Sequence, residues 1–445
     1  MVTNDIFMFY KILTLYLNTK KSSEEILRIR ETKFRKILKH AYRTSLFYRD
    51  MYSSHGIKYE DLNSIPIEKL PSIDKDAMIN NMAKIVTAKD INVEEAIAFA
   101  YENKDPLVLY KDKYQVIHSS GSSGKSAVFI YSIKEMTEAL SANTRLQKME
   151  KTRKVKKVAF YAGVDGRFGG AALALHGRRG FAKRLIDIQP FDINAPLEKT
   201  LAEINRFQPD MLSGYTAGIS ILARCQQEGR IKINPIIVMS GGEPLYEADH
   251  NLMKSVYKVP ITNAYGASEA FCLGMGGDEY DGIYLMDDIH YIEIMEDHIL
   301  VTNLYNYTQP IIRYRLNDRL TLKEDKKKQF PFRLIENIIG REEALLWFNN
   351  EKGEKDYIHP VVFTSLSIRG IEKFQILLKS EESFELLVII PDKALEARAH
   401  NEAKTSFDKL LAKKGMKNVS YTINTVEHPR IDKRSKKFKI VLKDY

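Results

Sequence analysis

The central part of the chain alternates short apolar runs with segments of helical periodicity. Apolar runs of four or five residues end near positions 162, 214, 240 and 264, and predicted helices over 195–207, 216–228 and 245–257 lie between them. This alternation is typical of βαβ units, which assemble a parallel sheet. Ligands of such sheets bind at the carboxyl ends of the strands.

Four of these strand ends carry glycine, often beside an aromatic or acidic residue. They read Gly163 to Gly170, Gly214-Tyr215, Gly241-Gly242-Glu243 and Tyr265-Gly266. Because the carboxyl ends of parallel strands meet at one edge of the sheet, we expect the four ends to form one cleft.

The pattern changes on both sides of this region. Residues 23–56 repeat apolar positions every three to four residues, which predicts helices, and residues 283–322 contain short runs typical of antiparallel strands. From about residue 341 the pattern predicts two strands, a helix over 393–413 and a further strand. We therefore predict an α/β fold with two domains. The large domain covers 1–340, with a helical region over about 1–85, and a small α+β domain covers 341–445.

The apolar stretch from Ile6 to Leu17 is shorter than a membrane span, which takes ~20 apolar residues. Lys11 interrupts it and Asp5 precedes it, so it does not resemble a signal peptide. We expect an amphipathic helix that docks on the body of the protein, with contact to a membrane surface as the alternative. The sequence predicts no membrane span.

The charge and the cysteine content indicate what the protein binds and in which compartment it works. The 445 residues carry a net charge of +10, but 58 acidic residues accompany 68 basic ones along the chain. A mixed, solvated surface explains this better than a nucleic-acid site, and it also suits polyanionic substrates. Cys225 and Cys272 have no metal or disulfide spacing, which is typical of a reducing compartment. We therefore expect a cytoplasmic protein that binds no nucleic acid.

A loop rich in serine and glycine, Ser119-Ser120-Gly121-Ser122-Ser123-Gly124-Lys125, lies between two apolar, β-branched runs. Such a loop presents backbone N–H groups, hydroxyls and one ammonium group, which together hold a polyphosphate. A P-loop runs directly into a helix, whereas here residues 127–131 have the pattern of a strand and the helix begins near Ile133. The sequence predicts a strand–loop–strand phosphate clamp, and the alternative is a flexible hairpin tip.

This loop resembles the [ST]-S-G-[ST]-T-G-K loop of the adenylate-forming enzymes, the acyl-CoA synthetases and their relatives. The chain is most similar to their phenylacetate–CoA ligase and coenzyme F390 synthetase (CapK-like) branch, from about residue 24 to 443. Ser123 replaces the usual threonine, and Ser126 replaces the usual proline. The resemblance implies an adenylation domain with a small C-terminal lid, and it implies that residues 119–125 bind the phosphates of ATP.

Tyr265-Gly266-Ala267-Ser268-Glu269 resembles the Y-G-x-[ST]-E motif of the family. Magnesium prefers one or two carboxylates together with substrate oxygens, and the resemblance implies that Glu269 supplies a carboxylate to Mg²⁺. It also implies that Ser268 contacts the α-phosphate and that the ring of Tyr265 packs beside the adenine. The further residues expected in the nucleotide site are Gly241, Gly242, Glu243, Asn263, Ala264, Gly266, Asp318 and Arg341.

Arg313-Tyr314-Arg315-Leu316-Asn317-Asp318 resembles the motif R-Y-R-[TL]-G-D, whose aspartate would accept hydrogen bonds from ribose hydroxyls. Asn317 stands where glycine is usual, and asparagine tolerates the left-handed backbone angles of such a turn. The alternative is a surface ion pair of little energetic weight. Gly340-Arg341-Glu342-Glu343 resembles the hinge motif G-R-x-D. This implies a hinge at Gly340 and Glu343, with Arg341 near the ribose or phosphates.

The segment Ser435-Lys436-Lys437-Phe438-Lys439 resembles the C-terminal motif S-G-K-F-[RK]. The transition state of adenylation builds negative charge at the α-phosphate, and one lysine delivered there stabilises it. The alignment implies that this catalytic lysine is Lys437, acting together with Glu269. A shift of one residue makes it Lys436, and a solvated basic tail is the alternative to both.

The resemblance implies an ATP- and Mg²⁺-dependent ligase that converts a carboxylic acid to acyl-AMP and pyrophosphate, and then transfers the acyl group, most simply to CoA. The sequence does not identify the acid. The residues expected to line its pocket, at the strand ends, are Tyr161, Arg167, Phe168, Tyr215 and Ala264. The aromatic rings suit an aryl acid, whereas Arg167 suits a second acidic group, or faces solvent or CoA phosphates.

Other functions stay open at this point. The acceptor is alternatively an amine or the phosphopantetheine of a carrier protein, or the product remains an AMP derivative. The substitutions at Ser126, Asn317, Glu343 and Lys436 also suit a nucleotide- or acyl-adenylate-binding protein without turnover. A homodimer is a further open expectation.

Overall fold

The computed structural model describes residues 2–119, 126–146, 155–180, 182–339, 345–359, 368, 370–431 and 439–443. In these ranges the chain forms a helical N-terminal region, a large mixed sheet flanked by helices, and a smaller C-terminal sheet with its own core. The predicted α/β class is confirmed.

The N-terminal region consists of short helices packed on one another. Helix α2 begins with a capping box, in which Ser22 and Glu25 satisfy each other's backbone N–H groups. Its apolar side chains recur at helical spacing and are buried, as the pattern predicts. The helices are α1 (Val2–Asn18), α2 (Ser23–Thr44), α3 (Leu46–Ser54), α4 (Lys75–Asn80), α5 (Met82–Ile85) and α6 (Val93–Glu102), with 3₁₀ turns at Glu60–Asn63 and Ile67–Lys69.

The serine-glycine loop joins two antiparallel strands, β1 (Tyr114–His118) and β2 (Val128–Ser132). Helix α7 (Ile133–Thr144) begins directly after β2, where Ser132 and Glu135 form a second capping box. The helix therefore starts at the far end of β2 and not at the loop. The predicted strand–loop–strand arrangement is confirmed, and a P-loop is excluded.

The large sheet has nine strands in the described residues, in the order β13-β14-β9-β8-β7-β6-β5-β3-β4. Strands β4, β3, β5, β6 and β7 are parallel, and the others are antiparallel to their neighbours. The strands that carry the four glycine-rich ends, β3, β5, β6 and β7, are adjacent, as predicted. The parallel part consists of β3 (Lys157–Ala162), α8 (Gly169–His176), β4 (Asp187–Asp192), α9 (Leu197–Phe207), β5 (Met211–Tyr215), α10 (Thr216–Gln227), β6 (Ile237–Gly241), α11 (Glu247–Tyr257) and β7 (Ile261–Ala267), with a 3₁₀ turn at Ala182–Arg184.

Strands of the antiparallel part follow the parallel part in the chain. A separate three-stranded sheet has the order β10-β11-β12, and residues 304–313 connect its second and third strands. The strands are β8 (Phe271–Gly277), β9 (Ile283–Leu285), β10 (His290–Ile294), β11 (Ile299–Asn303), β12 (Tyr314–Leu316), β13 (Arg319–Lys323) and β14 (Leu334–Ile339).

The C-terminal part has the predicted order of strands and helix. A four-stranded sheet, β19-β18-β17-β20, packs against one helix around a core of its own. Its elements are β15 (Leu346–Asn349), β16 (Lys355–Ile358), β17 (Lys373–Ser380), β18 (Ser383–Ile389), α12 (Glu396–Lys413), β19 (Ser420–Thr425) and β20 (Val441–Lys443), with a 3₁₀ turn at Lys393–Leu395. The expected boundary at 340/341 lies outside the described residues, so the division into two domains stays a prediction.

The hairpin β15–β16 lies between the two parts of the protein. Trp347 and Tyr357, on one face, pack against the core of the large sheet. Leu346, Phe348 and Ile358, on the other face, belong to the C-terminal core. The hairpin therefore joins the two cores through alternate side chains.

None of the helices within the described ranges is long and apolar enough to cross a bilayer.

Candidate functional site

The two ends of the serine-glycine loop are held together at Ser119 and Ala127. The Ser119 N–H donates to the Ala127 carbonyl at 2.8 Å, and the Ala127 N–H donates to Ser119 Oγ at 3.0 Å. Ser126 Oγ donates to the Ser119 carbonyl at 3.0 Å. The base of the loop is therefore fixed in register with strands β1 and β2. Residues 120–125, the rest of the predicted phosphate loop, lie outside the described residues.

Lys75 lies at this site, although no pattern in the sequence predicted a chemical role for its segment. Its ammonium group is 3.2 Å from Ser119 Oγ, at the base of the loop. The chain just before it is held by the Arg313–Arg315 segment, because Ile73 donates to the Arg313 carbonyl (3.1 Å) and accepts from the Arg315 N–H (2.8 Å). A cation from the N-terminal helical region is thus brought to the predicted phosphate loop.

Arg313 fixes this contact between distant parts of the chain. Its guanidinium donates to both carboxylate oxygens of Glu293, at 2.9 and 2.7 Å, and to the carbonyl of Leu70. Arg313 also has a left-handed backbone, with a φ of 50°, whereas Asn317 is not among the described residues with positive φ. Asn317 therefore does not adopt the left-handed angles that asparagine tolerates, and Arg313 is the left-handed residue of this motif.

Glu269 lies in the turn between β7 and β8, and only 6% of its surface is exposed. Its carboxylate is hydrogen-bonded to the side chain of Tyr314 and is close enough to Lys75 to sense its charge. Burial raises the pKa of Glu269, and the charge of Lys75 and the bond to Tyr314 oppose this shift only in part. A buried carboxylate in this position is stabilised in its charged form by any further cation.

The Glu269 carboxylate is compatible with binding of Mg²⁺. Magnesium is usually bound by one or two carboxylates and by phosphate or water oxygens. Within the part of the chain that the structure describes, no group of three or more His, Cys, Asp or Glu side chains forms a metal site. Glu269 supplies one buried carboxylate, which is the kind of group that magnesium takes from a protein when phosphate oxygens complete its shell.

Tyr265 and Asp318, expected at the adenine and the ribose, contact each other. The Tyr265 hydroxyl donates to Asp318 Oδ2 at 2.7 Å. The Tyr265 side chain is 5% exposed and lies in the core between the large sheet and β10–β11. Burial raises the pKa of Tyr265 well above its ordinary value, so its hydroxyl remains a donor at neutral pH. The bond fixes the orientation of the Asp318 carboxylate at the edge of the site.

Ser268, expected at the α-phosphate, lies between two elements of the site. Its carbonyl accepts a hydrogen bond from the Tyr131 hydroxyl of β2 at 2.7 Å. Gly169, the first residue of α8, approaches it so closely that a Cβ there would lie 3.1 Å from Ser268 Oγ. The loop hairpin and the start of α8 therefore both meet the turn that carries Ser268 and Glu269.

The ends of β5, β6 and β7 form a continuous surface. Gly241 pairs with Ala264, and a Cβ on Gly241 would lie 3.0 Å from the Ala264 carbonyl. Gly242 has a φ of 77°, and a Cβ there would meet the ring of Tyr215 at 2.9 Å. Asn263, next to Ala264, is buried. Most residues predicted for the nucleotide site are thus neighbours at one edge of the sheet.

Glu243 makes a contact that the sequence did not reveal. One carboxylate oxygen accepts from the Ala217 N–H at the start of α10 (2.8 Å), and the other is 2.6 Å from Nε2 of His359. His359, which follows β16, is 1% exposed and its ring packs on that of Tyr215 at a centroid distance of 5.2 Å. The backbone N–H of His359 donates to Asn194 Oδ1 at 2.7 Å. The residue after the hairpin therefore docks at the loop Gly241–Glu243, at the end of β6.

Tyr161, expected in the acid pocket, also contacts the hairpin. Its hydroxyl is 2.6 Å from that of Tyr357, and both side chains are fully buried. Asp356, beside Tyr357, forms a buried ion pair with Lys414 at 3.1 Å and accepts from the Leu197 N–H. The C-terminal part therefore supplies side chains to the region where the acid pocket is expected.

Arg167 is a structural residue in this arrangement. It is fully buried, and its guanidinium donates to the carbonyls of Val116, Asp105 and Val108 at 2.5 to 2.8 Å. Burial lowers the pKa of Arg167 to about 10, so it remains charged at neutral pH. These contacts argue against the expectation that Arg167 meets a second acidic group, solvent or CoA phosphates, because its donors already bind β1 and the loop before it.

Phe168, the last pocket candidate, packs against the residue that precedes the loop. Its ring meets the imidazole of His118 edge-on at 4.7 Å, and Tyr101 stacks on that imidazole at 5.4 Å. Burial lowers the pKa of His118 to about 4. His118 is therefore a neutral packing residue at neutral pH.

Some expected site residues cannot be placed. Gly340, Arg341 and Glu343 of the hinge motif, and both Lys436 and Lys437, lie outside the described residues.

No protein-family model matches the chain. Over 402 residues it is 24% identical to protein CapK of Staphylococcus aureus, an alignment that covers 81% of this chain and 79% of CapK. It is 22% identical to phenylacetate–coenzyme A ligase of Aromatoleum evansii over 348 residues, covering 74% and 73% of the two chains.

The fold is similar to that of crystal structures of 2-hydroxyisobutyryl-CoA ligase. The structure with 2-HIB-AMP and CoA in the thioesterification state has a TM-score of 0.61 and 18% identity, and covers 96% of this chain and 91% of that chain. The postadenylation state with 2-HIB-AMP has a TM-score of 0.59 with the same identity and coverage. The chain has the fold of the adenylate-forming ligases, and its resemblance to their phenylacetate–CoA ligase and CapK branch is confirmed.

Proposed function

We propose that the protein is an AMP-forming carboxylic acid–CoA ligase. The observation that carries this proposal is the meeting of Lys75, Glu269 and the Tyr265–Asp318 pair around the base of the serine-glycine loop. A cation, a buried carboxylate and an oriented aspartate are the groups that a nucleoside triphosphate and its magnesium ion require. The relatives named phenylacetate–coenzyme A ligase and 2-hydroxyisobutyryl-CoA ligase support the reaction class.

The first half-reaction joins the acid to AMP. A carboxylate oxygen of the acid attacks the α-phosphorus of ATP, and the bond to pyrophosphate breaks. In this proposal Lys75, residues 119–125 and Ser268 bind the phosphates, while Asp318 and Arg341 bind the ribose. Glu269 would hold Mg²⁺, which neutralises phosphate charge when it is bound. Lys437 would stabilise the charge that develops between the carboxylate oxygen and the α-phosphorus.

The second half-reaction transfers the acyl group. The sulfur of CoA attacks the acyl carbon, a thioester bond forms, and AMP leaves. We propose that the small domain turns about Gly340 and Glu343 between the two steps, a gating motion of the kind that lids perform. ATP and CoA are cytoplasmic metabolites, which supports the same location for the enzyme.

The acid site is proposed at the ends of β3, β5 and β7, near Tyr161, Phe168, Tyr215 and Ala264. Three aromatic rings favour an aromatic or other apolar acid. Because the donors of Arg167 bind the backbone, a second acidic group on the substrate finds no partner in that side chain.

Pyrophosphate release from ATP and Mg²⁺ across a panel of carboxylic acids, with and without CoA, tests the proposal. Release that depends on one acid and turns over only with CoA is the expected result. Acid-dependent release without any response to CoA would instead favour an amine or a carrier protein as acceptor. ATP binding without release for any acid would favour a nucleotide-binding protein without turnover.

A further inference from the structure

Helix α1 exposes an apolar stripe along its length. Six large side chains on one face are 49–64% exposed: Ile6, Phe9, Tyr10, Leu13, Tyr16 and Leu17. Their spacing of three and four residues places them on one side of the helix. Together they expose on the order of 600 Å² of mostly apolar surface, which is at the upper end of the largest patches on monomeric proteins.

The opposite face of α1 is firmly docked. Leu15 is 1% exposed, the Asn18 amide donates to Asp288 at 2.8 Å, and Lys11 pairs with Glu138 of α7 at 2.7 Å. The helix thus packs on the body of the protein as the sequence predicts. Its exposed stripe is held outward by these contacts.

A lysine borders the stripe at one end, and α1 contacts a basic segment near its other end. Lys20 is exposed just after the C-terminal end of α1, with its ammonium group 5.5 Å from the centre of the Tyr16 ring. At the other end the Asp5 carboxylate packs against Gly180, so closely that a Cβ on Gly180 would overlap the carboxylate. Arg178, two residues before Gly180, and Lys183 and Arg184, in the 3₁₀ turn after it, are exposed. Asp5 is the only acidic residue in α1, and its carboxylate contacts this segment at Gly180.

We propose that α1 binds the surface of an anionic membrane, with its apolar stripe among the acyl chains and the basic residues against the headgroups. Aromatic and aliphatic side chains on one face and cations at its borders are the composition of interfacial helices. Tyrosine rings favour the boundary between headgroups and acyl chains, because they join an apolar ring to a polar hydroxyl.

A second copy of the chain fits this surface less well. A stable dimer buries about 800 Å² on each partner, more than the stripe offers. In an antiparallel pair of α1 helices, the Lys20 end of one helix would meet Arg178, Lys183 and Arg184 of the other, so like charges would face each other. Anionic lipids would neutralise both ends. The proposal does not depend on the reaction that the enzyme catalyses.

Sedimentation of the full chain with vesicles tests this proposal. We expect it to pellet with vesicles of phosphatidylcholine and phosphatidylglycerol, and not with phosphatidylcholine alone. About 1 M salt should release it, because the Debye length then falls to ~3 Å and screens the basic residues from the headgroups. The Phe9→Glu/Leu13→Glu double variant should bind at least about tenfold less, because it places two charges in the stripe.

Leu322→Glu is the matched control, since Leu322 is 55% exposed on β13, outside α1. It should bind vesicles like the wild type, and all variants should keep the circular dichroism and unfolding midpoint of the wild type. No pelleting of the wild type with anionic vesicles would overturn the proposal, and so would pelleting that the double variant retains. A concentration-dependent dimer that the double variant abolishes, without vesicle binding, would show that a second copy covers the stripe.

Discussion

Glu269 is the side chain whose surroundings most directly match its proposed task. Glu269→Gln keeps the shape but removes the charge, so we expect the Mg²⁺ concentration for half-maximal pyrophosphate release to rise at least about tenfold. A magnesium titration of acid-dependent pyrophosphate release measures this. Glu324→Gln, on the exposed turn after β13, is the matched control and should change nothing. Unchanged magnesium dependence in Glu269→Gln would remove Glu269 as the ligand.

Lys437 is the residue on which the first half-reaction depends in the proposal. Lys437→Ala should slow acyl-AMP formation by about 10² to 10³, the cost of losing one preorganised charge at the transition state. Thioester formation from supplied acyl-AMP should stay nearly unchanged. Single-turnover assays of each half-reaction separate the two effects. If Lys436→Ala gives this result instead, the alignment of the C-terminal motif is wrong by one residue.

For single residues, the sequence predicted a site position where the side chain belongs to a local motif. Glu269 and Asp318 lie in recognisable motifs, and the structure brings both to one edge of the sheet. Lys75 gave no such signal, because it reaches Ser119 only through the long-range pairing of Ile73 with Arg313 and Arg315. The charge of Arg167 is visible in the sequence but its burial is not, and the three backbone carbonyls that its guanidinium binds determine its structural role.

At the scale of elements, the hairpin β15–β16 forms the connection between the two cores. If the small domain turns between half-reactions, the bond between His359 and Glu243 exists in only one arrangement. His359→Phe keeps a ring against Tyr215 but loses the hydrogen bond to a carboxylate, worth about 1.5–3 kcal/mol. We expect the half-reaction that takes place with His359 bound to Glu243 to slow about tenfold or more. The other half-reaction should change less than about twofold.

Separate assays of adenylation and of thioester formation check this prediction. His400→Phe, on the outer helix α12, changes a histidine that contacts Thr425 within the C-terminal part, and both half-reactions should tolerate it. An equal loss in both half-reactions for His359→Phe would mean that the contact only stabilises the fold.

Sequence periodicity predicted most elements of the large sheet but missed strand β14 and strand β8. The sequence of β8, Phe271–Gly277, contains three glycines and one methionine, which carry little strand signal. The structure explains the glycines by close approach, since a Cβ on Gly276 would lie 2.3 Å from the Gly282 carbonyl. Hairpin β15–β16 was missed for a related reason: its alternate residues face two different cores, so no single apolar face marks it.

At the scale of the whole molecule, three buried histidines make stability depend on pH. Burial lowers the pKa of His118 and His176 to about 4 and that of His290 to about 3. In the unfolded chain each titrates near 6.5, so between pH 6.5 and 4 the unfolded state binds more protons and stability falls as the pH falls. Three protons correspond to a slope of up to about 4 kcal/mol per pH unit.

Two buried carboxylates act in the opposite direction. Burial raises the pKa of Glu135 and Glu269, so their protonation in the folded state offsets part of the loss as the pH falls. Urea unfolding at intervals between pH 7.5 and 4 measures the net slope. His176→Gln should reduce this slope by the contribution of up to one proton, because glutamine fills much of the same space without titrating. A free energy of unfolding that stays constant, or rises, as the pH falls from 6.5 to 5 would contradict the prediction. The histidines would then be protonated in the folded state, or outweighed by the carboxylates.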